Sequence, residues 1–180
     1  MIDYHHDYYR GLAKLYFLRI VDTIIRLGRL RNEKGLILDF GCGFQYLKKR
    51  LRQPNIVGYD LIKELSDVKD YRRLKPAVIV CNNVLEHFSL ADIEKLLKQF
   101  RKMNASCTLV TAIPTENFLS KIGMVITGQR DAHADHKSSL ADITTLLSRY
   151  CVLLRRRRLF TLSEIAVWRF HPLVLGETFL

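Results

Sequence analysis

The stretch Ile37-Leu38-Asp39-Phe40-Gly41-Cys42-Gly43 decides the fold. Leu36 to Phe40 is an apolar run of strand length, broken by Asp39 alone, and it ends in a turn with glycine at Gly41 and Gly43. A short, almost wholly apolar strand that empties into a glycine turn and then a helix is the signature of a buried parallel strand. Phe44 to Leu51 returns to helical spacing, and Ile56 to Tyr59 and Ala77 to Cys81 read as a second and third strand. Ser89 and Ser139 each stand three residues before an aspartate, Asp92 and Asp142. Each opens an apolar stripe at helical spacing, so two N-capped helices are expected, one on either side of a strand over Cys107 to Ala112. Upstream, Leu12, Leu15, Tyr16, Val21, Ile24, Ile25 and Leu27 recur with Arg19, Asp22 and Arg26 between them, which predicts an amphipathic leading helix from Tyr8 to about Leu30. Two β-like runs, Cys151 to Phe160 and Glu164 to Phe170, close the chain.

Alternation of strand and helix calls for an open sheet covered on both faces. The expected fold is therefore α/β: one doubly wound, Rossmann-like domain, mostly parallel, with a C-terminal antiparallel hairpin and an N-terminal helical extension. Residues 1–34 form that extension, placed to lid an acceptor pocket, and residues 35–180 form the cofactor-binding core. At 180 residues the chain has room for one such domain.

Composition narrows the classes. Apolar residues at 48% and charged residues at 26% describe a globular chain. The opening residues lack the basic-then-apolar run of a signal peptide, and no unbroken apolar stretch of about eighteen residues occurs, so a cytoplasmic protein without a transmembrane segment is expected. Cys42, Cys81, Cys107 and Cys151 form no CxxC pair, which argues against a zinc ribbon or a disulfide scaffold. Lys and Arg outnumber Asp and Glu by 29 to 18, a net charge of +11 that attracts anionic partners: RNA, acidic lipid or phosphorylated substrates.

In open α/β sheets a ligand sits beyond the carboxyl ends of the strands where strand order reverses. Gly41 and Gly43 let a ligand approach the backbone there, and the amides of the following helix favour an anionic group. Asp60 ends the second strand, in IVGYD, where a carboxylate can accept hydrogen bonds from both hydroxyls of a ribose. Together these features indicate an adenosine-bearing ligand.

ILDFGCG, IVGYD, the Asp67 to Asp70 stretch, VIVCNNVLEHF and CTLVTAIPT, in that order, make the chain resemble the class I S-adenosylmethionine-dependent methyltransferases. It is most similar to the broad subgroup that methylates quinones, lipids and small molecules. The resemblance implies that S-adenosylmethionine is the cofactor and S-adenosylhomocysteine the product. It places Gly41 and Gly43 at the methionine end with Asp39 nearby, Asp60 on the ribose and Leu61 on the adenine. Asp70 or the Val68 backbone would meet the adenine edge, and Asn82 and Asn83 the sulfonium region. Two departures stand out. Gln45 replaces a frequent third glycine, and only ten positions separate Asp60 from Asp70, so the intervening helix and strand are abbreviated.

Methyl transfer is an in-line displacement in which the protein positions the acceptor and, where the acceptor's acidity requires it, removes a proton. His87, after the VIVCNN strand, is the candidate catalytic base; an orienting role for Glu86 and His87 is the alternative. NNVL stands where adenine- and amide-methylating relatives carry a pair of prolines, which disfavours those acceptors. Candidate acceptor contacts are Tyr9 in the leading segment, Thr115, Glu116 and Asn117 after the Cys107 strand, and His133 and His136 before the Ser139 helix. No metal site is assigned to Asp131, His133, Asp135 and His136, because no helix sets the two histidines on one face. Arg155 to Arg158 lies in a β-like run, so alternate arginines face opposite ways, as an edge-protecting strand requires. The expected function is methylation of a small-molecule or lipid-like acceptor. An RNA methyltransferase, a noncatalytic binding protein on the same fold, and peripheral contact of the leading helix with an anionic membrane are the alternatives.

Overall fold

The computed structural model describes residues 11–115 and 137–172. A six-stranded sheet runs in the order β2-β1-β3-β4-β6-β5, built from β1 (Ile37–Phe40), β2 (Ile56–Tyr59), β3 (Val78–Asn82), β4 (Thr108–Pro114), β5 (Cys151–Leu159) and β6 (Ser163–Phe170). Strands β2, β1, β3 and β4 are parallel, with Leu38 paired to Val57 on one side and Ile79 on the other. Strand β6 is antiparallel to β4 and β5 antiparallel to β6, the hairpin the sequence predicts. The direction of winding reverses between β1 and β3, so the glycine turn leaves β1 at the switch point.

Among the described residues four helices cover the sheet: α1 (Gly11–Leu27), α2 (Tyr46–Leu51), α3 (Leu90–Met103) and α4 (Leu140–Tyr150). Alternate side chains of each strand point to opposite faces, and the chain fills both. Leu38, Ile79, Leu109 and Trp168 pack with Ile93, Leu97 and Phe100 of α3 and Ile143 and Leu147 of α4. On the other face Ile37, Val78, Val80 and Val110 meet Ile20, Val21 and Ile24 of α1 and Leu47 and Leu51 of α2. Burial of a large apolar side chain contributes about 1.5–3 kcal/mol, and Phe100, Leu97 and Ile24 are wholly removed from solvent. Trp168 donates its indole N–H to Thr111 Oγ1 at 3.1 Å, so the largest core side chain leaves no polar group unpaired. Ser89 and Ser139 cap α3 and α4 as expected: each hydroxyl accepts from the Asp92 or Asp142 amide at 3.2 Å and donates to that aspartate's carboxylate.

Element ends depart from expectation at α1 and α2. Helix α1 stops at Leu27, and Leu30–Asn32 forms a separate 3-10 turn after Arg29, which adopts a left-handed φ of 55°. Helix α2 begins at Tyr46 instead of Phe44, because Gln45 is itself left-handed at φ 58°. Between β2 and β3 only two 3-10 turns occur, Lys63–Leu65 and Tyr71–Arg73, so β2 is an outer strand among the described residues.

Candidate active site

The turn after β1 folds back over the end of β2. Tyr59 O accepts from both the Gly41 and the Cys42 amide, at 2.8 and 3.1 Å. Gly41 has φ +75°, and a Cβ there would stand 2.4 Å from Val84 Cγ2, so the turn must pass close to the chain leaving β3. Gly43, at φ +47°, differs: a Cβ there would meet nothing within 4 Å. The space above Gly43 is open, and its left-handed backbone alone accounts for glycine.

Asp60 joins this turn to the end of β2. Its Oδ2 accepts from the Gly43 amide at 2.8 Å and its Oδ1 from the Ile62 amide at 3.0 Å. Each oxygen keeps a second lone pair, so the carboxylate is oriented by the backbone and still able to accept from a ligand. Leu61 beside it is 80% exposed, an apolar surface that a planar ring would cover.

A second carboxylate, Asp67, braces the same turn from below. It accepts from the Gly58 amide at 2.7 Å, from Lys48 Nζ at 2.8 Å and from Gln45 Nε2 at 3.2 Å. Gln45 Nε2 also donates to Leu65 O at 2.8 Å. Burial, the largest influence on Asp67, opposes its ionisation, yet the bonds from Lys48, Gly58 and Gln45 together hold its carboxyl below the usual range. The side chain that displaces the third glycine is thus the one that ties the abbreviated β2–β3 connection to the glycine turn. Sequence reading passed over Asp67 as a site residue, and its signal was only the DVKD stretch.

Asp39 is 2% exposed. Burial, then the nearby charges of Asp60 and Asp67, push its pKa up to about 7. Two further features lie where β3 ends. The side-chain Oδ1 atoms of Asn82 and Asn83 are buried without a hydrogen-bond partner among the described residues. Asn83 is left-handed at φ 53°, and its amide donates to Ala112 O at 2.9 Å. In the 3-10 turn Leu85–His87 that follows, Glu86 points inward and His87 outward. Burial raises Glu86 to about 8, and its Oε2 is also without a partner among the described residues. Glu86 O receives the Lys137 amide at 2.8 Å, and Ser138 Oγ donates to Phe88 O at 2.8 Å, which fixes the start of α4 to this turn.

The expected site residues divide accordingly. Asp39, Gly41, Gly43 and Asp60 converge at the exits of β1 and β2, with Asn82, Asn83 and His87 at the adjoining exit of β3. Val68 contributes its carbonyl to Ser66 Oγ at 2.7 Å, and Asp60 N donates to the same hydroxyl. Asp70 is engaged elsewhere: it caps the Tyr71–Arg73 turn and accepts from Arg72 Nε at 2.7 Å, which holds its carboxyl below the usual range. Thr115 is also committed, its amide donating to Leu162 O at 2.8 Å and its hydroxyl to Thr161 O. It fastens β4 to the β5–β6 turn. Tyr9, Glu116, Asn117, His133 and His136 lie outside the described residues.

An open volume over Gly43, an oriented carboxylate at Asp60, and buried acceptor oxygens at Asn82 and Asn83 fit an adenosine ligand with hydrogen-bond donors at its other end. Comparison with known proteins agrees. No curated protein matches the sequence. Among solved structures, the chain is similar to magnesium protoporphyrin IX methyltransferase from Synechocystis with bound S-adenosylhomocysteine, at 17% identity over 88% of this chain and 85% of that one, TM-score 0.58. A S-adenosylmethionine-dependent methyltransferase from Clostridium acetobutylicum aligns at 13% identity over 87% and 92% of the two chains, TM-score 0.63. The N-methyltransferase NodS from Bradyrhizobium japonicum aligns at 11% identity over 89% and 88%, TM-score 0.56. These likenesses show the fold, while the model of the family described as a methyltransferase domain matches residues 5–166. Since that match spans most of the chain, the protein belongs to the methyltransferase domain family, as a class I S-adenosylmethionine-dependent methyltransferase.

Proposed function

We propose that the chain methylates a small-molecule or lipid-like acceptor and holds S-adenosylmethionine across the exits of β1, β2 and β3. The observation that carries this reading is the bond from the Gly43 amide to Asp60 at 2.8 Å, which joins an oriented carboxylate at the end of β2 to an open glycine turn. Asp60 binds the ribose, Leu61 covers the adenine, and the backbone near Val68 meets its edge. Gly41 and Gly43 admit the methionine end. Asn82 and Asn83 supply acceptor oxygens to its donors, and Asp39 adds negative charge beneath. When bound, the cofactor supplies an electrophilic methyl group on a sulfonium.

The acceptor enters on the same edge. Tyr16 of α1 meets Ser163, at the start of β6, with 2.6 Å between their oxygens, which sets the first half of the leading helix against this side of the sheet. His87, exposed in the turn after β3, takes the acceptor's proton in this reading. The solved structures that the chain is similar to include magnesium protoporphyrin IX methyltransferase, whose named substrate is a large macrocycle, which agrees in kind with an aromatic leading segment.

The test is calorimetry with S-adenosylhomocysteine. The wild type should bind in the micromolar range and gain thermal stability by linkage. Asp60→Ala removes charged acceptors worth about 1.5–3 kcal/mol each, so affinity should fall by roughly tenfold or more per lost ribose bond. Normal affinity in a folded Asp60→Ala protein refutes the assignment.

A further inference from the structure

The hairpin that ends the sheet carries a feature the methyltransferase fold does not require. Leu162 N donates to Leu159 O at 3.0 Å across a turn whose central residues, Phe160 and Thr161, are both left-handed at φ 50° and 58°. Two positive φ values define a type I′ turn, a position that favours Asn and Gly and strains a bulky aromatic. Phe160 is moreover 67% exposed. A strained backbone and an unburied aromatic ring coincide at one residue, and neither is needed to close a hairpin.

The strand leading to this tip, β5, ends the sheet on the side away from β2 among the described residues. Arg156, Arg157 and Arg158 are exposed, and of Arg155 to Arg158 only Arg158 has a carboxylate partner among the described residues, the buried Glu164 at 3.2 Å. Before them Val152, Leu153 and Leu154 are also exposed. Arginine alone is explained by protection of an edge strand against pairing. Protection does not explain three exposed aliphatic residues on the same edge, nor Phe160 at its end.

We propose that this edge, Val152 to Phe160, is a docking surface for an anionic phospholipid bilayer. Arginines on alternate faces of an edge strand can all reach one plane when the strand approaches it edge-on, and their charge complements phosphate headgroups. Phe160 and the aliphatic residues then enter the interfacial region, where aromatic rings are favoured. A second copy of the chain is a poor occupant, because joining two such edges gathers Arg155 to Arg158 of both copies into one seam of like charge. The tip also adjoins the site: Thr115, at the exit of β4, is bonded to both Thr161 and Leu162. Docking would therefore turn the acceptor side of the sheet toward the bilayer, a consequence that rests on the lipid-like acceptor proposed above.

The experiment is cosedimentation with phosphatidylcholine vesicles, with and without phosphatidylserine, alongside calorimetry with S-adenosylhomocysteine on the same proteins. Wild type should bind only the phosphatidylserine vesicles, and less as salt rises. Arg156→Ser with Arg157→Ser should weaken binding by about fivefold per arginine. Phe160→Asn should weaken binding several-fold while raising Tm by about 3 °C, because Asn accepts the left-handed turn; a merely structural Phe160 could not move the two readouts in opposite directions. Binding indifferent to phosphatidylserine, unchanged vesicle binding by Phe160→Asn, or arginine variants that lose polyuridylate while retaining vesicles would each overturn the proposal. Intact S-adenosylhomocysteine binding beside failed docking would refute the surface alone, whereas docking without S-adenosylhomocysteine binding would refute the cofactor site alone.

Discussion

Replacing Gln45 by glycine supplies the third glycine that the resemblance leads one to expect, and the structure separates its effect on stability, which is close to zero, from its effect on cofactor affinity, which is a loss. At φ 58° Gln45 occupies a left-handed conformation that costs a non-glycine residue about 1–2 kcal/mol, which Gln45→Gly recovers. The same change deletes the bonds from Nε2 to Leu65 O at 2.8 Å and to Asp67 at 3.2 Å. Partly exposed bonds of this kind contribute about 0.5–1.5 kcal/mol each, so the stability terms nearly cancel and Tm should shift by no more than a few degrees. Affinity has no such compensation. The glycine turn loses its tie to the β2–β3 connection, and each residue that must then be ordered on binding costs about 1–2 kcal/mol, so S-adenosylhomocysteine should bind roughly fivefold to thirtyfold more weakly. Gln45→Ala supplies the control: it keeps the strain and loses the bonds, so it should melt below both other proteins yet bind like the glycine variant. Calorimetry and thermal unfolding of the three proteins decide the matter. Equal affinity in wild type and Gln45→Gly would show that the turn needs no brace.

Asp39 yields a pH prediction with a definite sign. Its pKa of about 7 in the folded chain lies above the ordinary 3.8, so the native state binds the extra proton, and the stability due to this group is full below about 3.8 and lost as pH rises to 7. Asp39→Asn should flatten that fall and raise stability at pH 8 by up to about 4 kcal/mol, while weakening cofactor binding at that pH because a negative charge is removed; a parallel pH-stability curve in wild type and variant refutes it. Trp168→Phe should lose about 1–3 kcal/mol from the bond to Thr111 and the reduced volume, read as a lower urea midpoint with unchanged slope.

The legible parts of this chain were those that local chemistry specifies. Ser89 and Ser139 announce their helices because a hydroxyl three residues before an aspartate satisfies the free amides of a helix start, whatever lies around it. The Leu36 to Phe40 run announces a buried strand for the same kind of reason, and Gly41, Gly43 and Asp60 follow from where such a strand must end. What stayed hidden depends on partners far along the chain. Gln45 read as a defect in a glycine pattern, because nothing local shows that its amide reaches Leu65 and Asp67 twenty residues on. Thr115 read as an acceptor contact from its place at a strand exit, although the turn at Thr161 claims its hydroxyl. Asp70 read as an adenine contact, while its nearest neighbour in sequence but one, Arg72, holds its carboxylate. In each case the bond that the side chain makes is one that its place in the sequence does not show. A sheet's topology fixes where chains emerge, but the last bond of each polar side chain is a competition among donors that only the assembled connections bring within reach. The abbreviated β2–β3 connection makes this plain, since its short path returns Asp67 to within 2.7 Å of the Gly58 amide and gives Gln45 something to hold.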